Sequence, residues 1–409
     1  MNSNFQHFIN LENKFGAKNY HPLPVVLSKG KGVFLWDVNG KKYYDFLSAY
    51  SAVNQGHCHK EIIDTLVKQS KKLTLTSRAF YNDALGVYEK FICNFFGFEK
   101  VLPMNTGAEA VETAIKLCRK WAYEIKGIES RKAKIIVCDQ NFHGRTTTIV
   151  SFSSDIASKK NFGPFTPGFI KIPYNDVDAL RHVLKTEENI AGFLVEPIQG
   201  EAGVVVPKEG YISECYSLCK KNNVLFIADE IQTGIARTGK MLACDYFNIK
   251  PDILILGKAL SGGCYPVSAV LSSTLIMDCI KPGEHGSTFG GNPVACEVAI
   301  KALSIVKKEN LAKNAYRLGK IFRKGLRDID SKMISLVRGK GLLNAIVIKN
   351  NKGKGAWDVC LKLRDNGLLA KPTHKTIIRL APPLVISESQ ISKSINIIKK
   401  TLYEFGSKN

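Results

Sequence analysis

The sequence VLFIADE at residues 224–230 consists of five apolar residues followed by two carboxylates. The sequence DILILGK at residues 252–258 has a similar form, with an apolar run that leads into a lysine. Short apolar runs of this kind are typical of strands that are buried on both faces of a parallel sheet. Because parallel strands end at the same edge of a sheet, we expect Asp229 and Lys258 to lie at one edge, where open sheets bind ligands.

Further apolar runs surround this pair, and helix-like segments separate several of them. They predict strands at residues 134–138, 148–152, 191–196, 224–229, 252–257 and 267–271, and helices at 60–72, 84–96 and 211–222. A loop at 103–107 is predicted to open another helix, which continues to about Lys126. Short strands that alternate with helices indicate an α/β fold, with a largely parallel sheet covered by helices on both faces.

The two ends of the chain have different patterns. Residues 33–37 and 42–46 flank Asn39-Gly40, which predicts a β-hairpin with a type I′ turn. After residue 292 the sequence predicts helices at 294–308 and 311–328, strands at 334–338, 342–348 and 376–380, and a terminal helix from Glu388. We therefore predict an N-terminal segment with a hairpin (1–58), a large α/β domain (59–292) and a C-terminal α+β domain (293–409).

The composition is that of a soluble globular protein, with 45% hydrophobic and 23% charged residues among 409. No apolar run approaches the roughly 20 residues of a membrane-spanning helix, so we expect no membrane partner. The formal net charge is +22, but the basic residues occur as separated pairs. This pattern favours a lysine-coated surface over a nucleic-acid-binding function, so we expect no nucleic-acid partner.

The 11 cysteines include no CxxC pair, and their odd number favours reduced thiols. His57-Cys58-His59 does not predict a metal site, because adjacent side chains point in different directions, and we expect no metal. Residues 1–16 lack the apolar core of a secretory signal, and the first arginine of the chain is Arg78, which argues against an arginine-rich mitochondrial presequence. Reduced thiols, without a secretory or a mitochondrial targeting signal, lead us to expect a cytoplasmic location.

A lysine at the end of a buried strand is costly unless it is paired or uncharged. An uncharged lysine amine can form a Schiff base with a carbonyl. Pyridoxal phosphate needs such a lysine, an acid for its pyridine nitrogen and a phosphate site. Asp229 could be the acid, and NTGA at residues 105–108 opens a helix whose free N–H groups favour an anion. Each feature alone is also typical of a turn, a loop or a helix cap, but all three at one sheet edge favour a cofactor site.

Six motifs carry a wider resemblance. They are NTGAEA (105–110), FHGRT (142–146), EPIQGE (196–201), ADEIQTG (228–234), LGKALSGG (256–263) and GSTFGGNP (286–293). From about Asn19 to the last helix, the chain resembles class III aminotransferases. The resemblance implies a pyridoxal-phosphate-dependent transferase of fold type I, with a large domain built on a mostly parallel sheet and a smaller α+β domain built from N- and C-terminal segments.

The resemblance also implies roles for single residues. The catalytic residues would be Lys258, which bonds to the cofactor and moves a proton, and Asp229, which pairs with the pyridine nitrogen. The other cofactor contacts that it implies are Gln232 with the phenolic oxygen, Phe142 with the ring, Gly107 and Ala108 with the phosphate, and Ser287 and Thr288 with the phosphate of a partner subunit. A homodimer with two shared sites is therefore expected.

Three segments favour the branch of the family that acts on ornithine: NYHPLP (19–24), SAYSAVNQGH (48–57) and YPVSAVL (265–271). In that branch Arg145 would bind the α-carboxylate of ornithine, and Tyr20 and Tyr50 would contact the substrate. Arg379 would bind the α-carboxylate of glutamate, and Glu201 would neutralise it while ornithine is bound. A purely structural ion pair between Arg379 and Glu201 is the alternative.

The resemblance thus implies a ping-pong reaction that moves the δ-amino group of L-ornithine to 2-oxoglutarate. The products would be glutamate and glutamate 5-semialdehyde, which connects arginine with proline metabolism. His143 stands where animal members have tryptophan and is common in acetylornithine branches, so N-acetylornithine, 4-aminobutyrate or a related ω-amine is the alternative donor. An aminomutase on the same fold, or a basic nucleic-acid-binding protein with an inactive cofactor site, would be a different class of function.

Overall fold

A computed structural model describes residues 3–349 and 355–406 of the chain. Over these residues the chain forms fifteen strands: β1 (Leu27–Lys31), β2 (Phe34–Asp37), β3 (Lys42–Asp45), β4 (Lys100–Met104), β5 (Lys134–Cys138), β6 (Phe169–Ile172), β7 (Ile190–Val195), β8 (Leu225–Asp229), β9 (Ile253–Leu256), β10 (Ser268–Ser272), β11 (Ile334–Lys340), β12 (Leu343–Ile348), β13 (Leu368–Leu369), β14 (Lys371–Thr373) and β15 (Ile377–Leu380).

The same ranges contain fourteen helical segments: α1 (Ser3–Phe15), α2 (Ser48–Ser51), α3 (Lys60–Lys72), α4 (Leu85–Phe96), α5 (Gly107–Glu124), α6 (Thr147–Ser151), α7 (Ile156–Lys159), α8 (Val177–Thr186), α9 (Tyr211–Lys221), α10 (Thr274–Met277), α11 (Pro293–Lys308), α12 (Leu311–Arg327), α13 (Ala356–Asp365) and α14 (Glu388–Gly406). Short 3₁₀ turns add Ala243–Tyr246 and Lys258–Ser261. Among the described residues, no helix is long and apolar enough to cross a membrane.

The central sheet has seven strands in the order β4-β10-β9-β8-β7-β5-β6. In this sheet β10 pairs antiparallel with both β4 and β9, and the other described strand pairs are parallel. Every residue of β7, β8 and β9 is buried, as expected of strands covered on both faces. Ile227 and Ile255 pack in the core that contains α5, whereas Phe226 and Leu254 pack in the core on the opposite face. The predicted α/β class and the predicted sheet are confirmed.

Two smaller sheets flank the central one, with the orders β1-β2-β3-β13 and β11-β12-β15-β14. The first of them joins the two ends of the chain, since Leu368 of β13 pairs in parallel with Tyr44 of β3. The smaller part of the molecule is therefore built from N- and C-terminal segments, as predicted. The boundaries at residues 58 and 292 stay a prediction.

The hairpin forms where the sequence predicts it, but its turn is of a different type. Gly40 has a φ of +82°, whereas Asn39 is not in the left-handed region that a type I′ turn needs at both positions. The N–H of Gly40 donates to Asp37 O at 2.9 Å, and the N–H of Asp37 donates to Lys41 O at 3.0 Å. The connection is therefore a longer loop that closes on a left-handed glycine.

The predicted strand at 148–152 is wrong, because these residues belong to α6 and the following turn. The Thr146 side chain accepts a hydrogen bond from the N–H of Ile149 and caps this helix, which outweighs the β propensity of the short apolar run. Residues 103 and 104, predicted as part of a loop, are the end of β4. The terminal helix begins at Glu388 as predicted, and its Ile391, Ile398 and Leu402 are in the core.

Candidate active site

Asp229 and Lys258 follow neighbouring parallel strands. Asp229 is the last residue of β8 and lies opposite Ile255 of β9, and Lys258 comes two residues after the end of β9. Both side chains line a cavity of about 180 Å³ at this edge of the sheet. Lys258 has a φ of +42°, a left-handed conformation that costs a non-glycine residue on the order of 1 kcal/mol and is typical of functional sites.

The surroundings of Lys258 favour the uncharged form of its amine. Desolvation lowers the pKa of Lys258, and Arg379 acts in the same direction, while the carboxylates of Glu201 and Asp229 oppose the shift. A lowered pKa increases the uncharged fraction of the amine, and the uncharged amine is the nucleophile and the base.

Asp229 is 4% exposed and is held from two sides. Its Oδ1 accepts the N–H of Ile231 at 3.0 Å, and its Oδ2 lies 2.6 Å from His143 Nδ1. Burial alone would lower the pKa of His143, but the hydrogen bond and the charge of Asp229 raise it above its ordinary value. The imidazole and the N–H of Ile231 therefore fix the orientation of the Asp229 carboxylate from two sides.

A second buried carboxylate, Glu196, lies behind this pair. Burial raises the pKa of Glu196 to about 7, with the charge of Asp229 adding to the shift and that of His143 opposing it. Its two oxygens accept the N–H groups of Phe142 and Gly200, each at 3.0 Å. The sequence places Glu196 and His143 in motifs but gives neither a role, because their positions near Asp229 depend on how separate segments of the chain fold together.

The N-terminus of α5 forms one wall of the cavity. Thr106 and Glu109 cap the helix reciprocally: the N–H of Glu109 donates to Thr106 Oγ1 at 3.2 Å, and the N–H of Thr106 donates to Glu109 Oε2 at 2.7 Å. The amides of Gly107 and Ala108 come next and have no partner within the helix. A Cβ at Gly107 would lie 3.0 Å from Ile231 Cδ1, so a larger residue would narrow this cradle.

These groups fit pyridoxal phosphate, the cofactor that the resemblance implies. Lys258 offers an amine, Asp229 a carboxyl group for the pyridine nitrogen, and the amides of Gly107 and Ala108 an anion site at a helix N-terminus. Phe142 lines the same cavity and presents an aromatic surface to it.

A larger cavity of about 540 Å³ adjoins the first one and shares Phe142 and His143 with it. Tyr50, Arg145 and Glu201 are in its wall. Arg145 is exposed, and over residues 3–349 and 355–406 no carboxylate pairs with its guanidinium, which lies 5.9 Å from the ring of Phe142. Arg145 is therefore available to bind a carboxylate from outside the protein.

The second arginine of the site, Arg379 on β15, is 1% exposed. Its Nη1 donates to Glu201 Oε1 at 2.7 Å and to Gln232 Oε1 at 2.9 Å, and its guanidinium lies 4.6 Å from the ring centre of Tyr50. Burial opposes the ionisation of Glu201, but the charge and hydrogen bond of Arg379 lower the pKa of Glu201 below its ordinary value. Among the described residues Arg379 Nε has no partner, so the guanidinium keeps a donor for another acceptor.

The structure gives four further residues expected at the site different surroundings. Gln232 Nε2 donates to Glu201 Oε1 at 3.2 Å, which leaves its second N–H for a cofactor oxygen. Tyr20 is 66% exposed and lines neither cavity. Ser287 Oγ accepts from Asn105 Nδ2 at 2.8 Å, and Thr288 is exposed. The roles expected of these four residues stay predictions.

Tyr50 belongs to a left-handed turn. The four residues of α2 have φ values of +51°, +45°, +61° and +77°, and none of them is glycine. Asp45 holds the start of the turn, because its Oδ1 accepts the N–H groups of Leu47 at 2.8 Å and Ser48 at 2.9 Å. No signal in the sequence predicts this turn, since consecutive left-handed residues normally require glycine or asparagine.

Curated relatives resemble the chain over nearly its whole length. It is 60% identical to the mitochondrial ornithine aminotransferase of Rattus norvegicus, over 96% of this chain and 90% of that protein. It is 61% identical to the protein of the same name from Drosophila melanogaster, again over 96% of this chain and 90% of that protein.

Two solved structures share the fold. The crystal structure of the ornithine aminotransferase from Toxoplasma gondii ME49 has a TM-score of 0.97 at 48% identity and covers 99% of this chain and 96% of that chain. The crystal structure of the acetylornithine aminotransferase from Elizabethkingia anophelis has a TM-score of 0.90 at 60% identity and covers 98% of this chain and 99% of that chain.

The expected cytoplasmic location is wrong. The rat and fruit-fly relatives, and a further one from Caenorhabditis elegans, are all named as mitochondrial proteins. The expectation rested on reduced cysteines and on residues 1–16 resembling no targeting signal, and neither observation identifies a compartment.

The family model for class-III aminotransferases matches residues 15–402. The lysine, the acid and the helix N-terminus that this family needs lie around one cavity. A match of this extent, supported by relatives that are about 60% identical over nearly the whole chain, shows that the chain belongs to the class-III aminotransferases.

Proposed function

We propose that this protein transfers the δ-amino group of L-ornithine to 2-oxoglutarate, with pyridoxal phosphate as cofactor, and releases glutamate 5-semialdehyde and glutamate. The observation that carries the proposal is the ion pair of Arg379 with Glu201, close to Lys258 and to the unpaired Arg145. The names of the rat and fruit-fly relatives support the same assignment.

The ion pair suits a site that binds two kinds of amino acid in turn. Ornithine has one carboxylate, which Arg145 can hold with two parallel N–H groups. The end of ornithine that reaches Lys258 is an amine without a carboxylate, so Arg379 needs Glu201 as its counter-ion while ornithine is bound.

2-Oxoglutarate has a carboxylate at both ends. Arg145 can hold the one far from Lys258, and Arg379 can hold the α-carboxylate once Glu201 has released it. The unpartnered Nε of Arg379 supports this step, because a carboxylate that takes the place of Glu201 could then accept two N–H groups. Opening and closing of one ion pair therefore separates the two half-reactions of a ping-pong sequence.

The residues of the inner cavity have distinct tasks. When bound, pyridoxal phosphate supplies an aldehyde for amino groups and a ring that withdraws electrons from the reacting carbon. Lys258 Nζ would remove the proton at the amino-bearing carbon of the substrate and then deliver it to a carbon of the cofactor. Its lowered pKa allows it to act as the base. Asp229 holds the positive charge of the pyridine nitrogen, and His143 keeps Asp229 in position.

Backbone and aromatic groups would bind the rest of the cofactor. The amides of Gly107 and Ala108 bind the phosphate at the start of α5. Phe142 and Gln232 line the cavity, where Phe142 would pack on the ring and the second N–H of Gln232 would donate to the phenolic oxygen. Water leaves this cavity when it fills, which strengthens each of these charged contacts.

The protein is proposed to act as a homodimer with two shared sites. Ser287 and Thr288 would reach the phosphate bound by a second copy of the chain. The exposure of Thr288, and of Phe289 beside it at 50%, is consistent with a surface that a partner covers.

N-acetylornithine is the second candidate donor, and the likeness to the Elizabethkingia anophelis enzyme favours it. The test is formation of glutamate by the cofactor-loaded protein from 2-oxoglutarate and either donor. We expect kcat/KM for L-ornithine to exceed that for N-acetylornithine by at least about tenfold. The reverse order would assign the protein to the second candidate, and no glutamate from either donor would contradict both.

A further inference from the structure

Lys371 on β14 lies directly opposite Arg379 on β15 in an antiparallel pair. Residues opposed in this way project from the same face of the sheet, with their Cβ atoms about 5 Å apart. Lys371 is half-buried, and its Nζ is 5.7 Å from the ring centre of Tyr20. Its stem therefore begins beside Arg379 and extends toward Tyr20.

The charged groups that act on Lys371 are those of the ion pair. Burial lowers the pKa of Lys371, Arg379 lowers it further, and Glu201 raises it. In the part of the chain that the structure describes, no carboxylate is within ion-pair distance of its amine. Among the described residues, Lys371 is thus a cation near Glu201 that forms no ion pair of its own while Glu201 binds Arg379.

Release of Arg379 from Glu201 removes a counter-ion that Lys371 can replace. When a substrate carboxylate takes Arg379, Glu201 loses its main counter-ion at a largely buried position. Lys258 also acts on Glu201, but its amine serves the cofactor and the substrate proton, so Glu201 needs another cation, because an unpaired buried charge is strongly unfavourable. Gln232 is neutral and offers one N–H at 3.2 Å. A lysine amine carries a full charge on a flexible stem with three donors, so it can follow a carboxylate that moves.

We propose that Lys371 determines specificity for dicarboxylate substrates by receiving Glu201 when Arg379 turns to the substrate. The proposal rests on the proposed function, in which Arg379 alternates between Glu201 and a substrate. Binding of a dicarboxylate then depends on Lys371, whereas binding of ornithine, which leaves the ion pair closed, does not.

The experiment compares the cofactor-loaded wild type with Lys371→Met. Glutarate, an unreactive dicarboxylate of the right length, is titrated as a competitive inhibitor, and the ornithine half-reaction is measured from the visible absorbance without a 2-oxo acid. We expect the glutarate inhibition constant to rise about tenfold, the effect of removing one partner from a partly desolvated charge pair. The ornithine half-reaction should change by less than about twofold.

Two further variants separate the proposal from a structural effect. Lys371→Arg keeps the charge and should restore glutarate binding to within about threefold of wild type. Lys375→Met removes an exposed lysine from the turn between the same strands and should leave both measurements unchanged. Equal weakening of glutarate and ornithine in Lys371→Met, or no weakening of glutarate, would overturn the proposal. Failure of the wild type to react with ornithine would instead refute the proposed function.

Discussion

Glu196 is a buried carboxylate beside Asp229, and its ionisation connects the site to pH. The pKa of Glu196 is raised from 4.5 to about 7 in the folded protein, with burial as the main cause. A carboxyl group whose pKa is higher in the folded state binds its proton more tightly there. The native state therefore loses stability as pH rises from about 4.5 to about 7, and the loss is complete above the folded pKa.

Glu196→Gln should remove this loss, since the amide does not ionise. The free energy of unfolding of the variant minus that of the wild type is expected to increase by about 3 kcal/mol between pH 4.5 and pH 8. Urea unfolding at a series of pH values measures this difference. Glu209→Gln, at an exposed carboxylate, is the control and should show no such trend. A pH-independent difference for Glu196→Gln would mean that the pKa of Glu196 is the same in the folded and unfolded states.

Tyr50 is the residue at which the donor substrates can be told apart. We expect its hydroxyl to contact the α-amino group of ornithine, which 4-aminobutyrate lacks. Tyr50→Ile should lower the ratio of kcat/KM for ornithine to that for 4-aminobutyrate by at least about tenfold. Tyr50→Phe keeps the ring over Arg379 and removes only the hydroxyl, so it separates the two contributions. If neither variant changes this ratio of kcat/KM values, Tyr50 does not contact the α-amino group of ornithine.

At the scale of elements, the left-handed turn α2 carries Tyr50 to Arg379. Four consecutive left-handed residues are unfavourable, so the turn persists only because its surroundings hold it. Asp45 does so with three contacts: the N–H groups of Leu47 and Ser48, and His57 Nε2 at 2.7 Å. Asp45 is thus a positioning residue, which acts on the substrate through Tyr50.

Asp45→Asn should loosen the turn, because an amide accepts these hydrogen bonds more weakly than a carboxylate. We expect KM for ornithine to rise about fivefold or more, with a change in kcat below about twofold. Asp37→Asn is the matched control: Asp37 also accepts two backbone N–H groups, those of Asn39 and Lys41, but it holds the hairpin turn and not α2. Equal changes in KM for both variants would show that loss of stability alone is responsible.

The elements differ in how far the sequence predicts them. The buried strands β7, β8 and β9 are predictable because each is a continuous apolar run, and the sheet edge with Asp229 and Lys258 follows from them. The apolar run at 148–152 is wrongly predicted as a strand, because the cap at Thr146 makes it helical. The turn α2 has no glycine to reveal it.

The partners of the site residues are harder to predict than the residues themselves. The resemblance names Arg379 and Glu201, but the position of Lys371 depends on a strand register that no local pattern encodes. Likewise the contact of His143 with Asp229 joins a loop to the end of β8, 86 residues apart in sequence. Such contacts follow from tertiary structure and are found only when it is known.

At the scale of the whole molecule, the sharing of sites in the proposed homodimer can be tested by combining two different variants of the chain. In a mixture of Lys258→Ala subunits and subunits with Ser287→Ala and Thr288→Ala, each heterodimer would contain one site with both changes and one site with neither. If the sites are shared, refolding the inactive variants together should restore activity in heterodimers to about half the wild-type value. Glutamate formation, with sedimentation to show the dimer, measures this.

The two variants refolded separately are the controls. Sites formed within a single chain would leave every heterodimer site with a change, so no recovery on mixing would contradict the shared-site arrangement. Recovery by the double variant alone would show that Ser287 and Thr288 are not needed at either site.

The central claim is that Lys258, in the cavity beside Asp229, acts on the δ-amino group of ornithine. The most direct measurement is the visible absorbance of the cofactor-loaded protein before and after addition of L-ornithine, and separately of N-acetylornithine, without a 2-oxo acid. We expect the absorbance of the bound cofactor to be lost with ornithine, and neither that absorbance nor its loss to appear in Lys258→Ala. Loss with N-acetylornithine alone, or an unchanged response in Lys258→Ala, would contradict the claim.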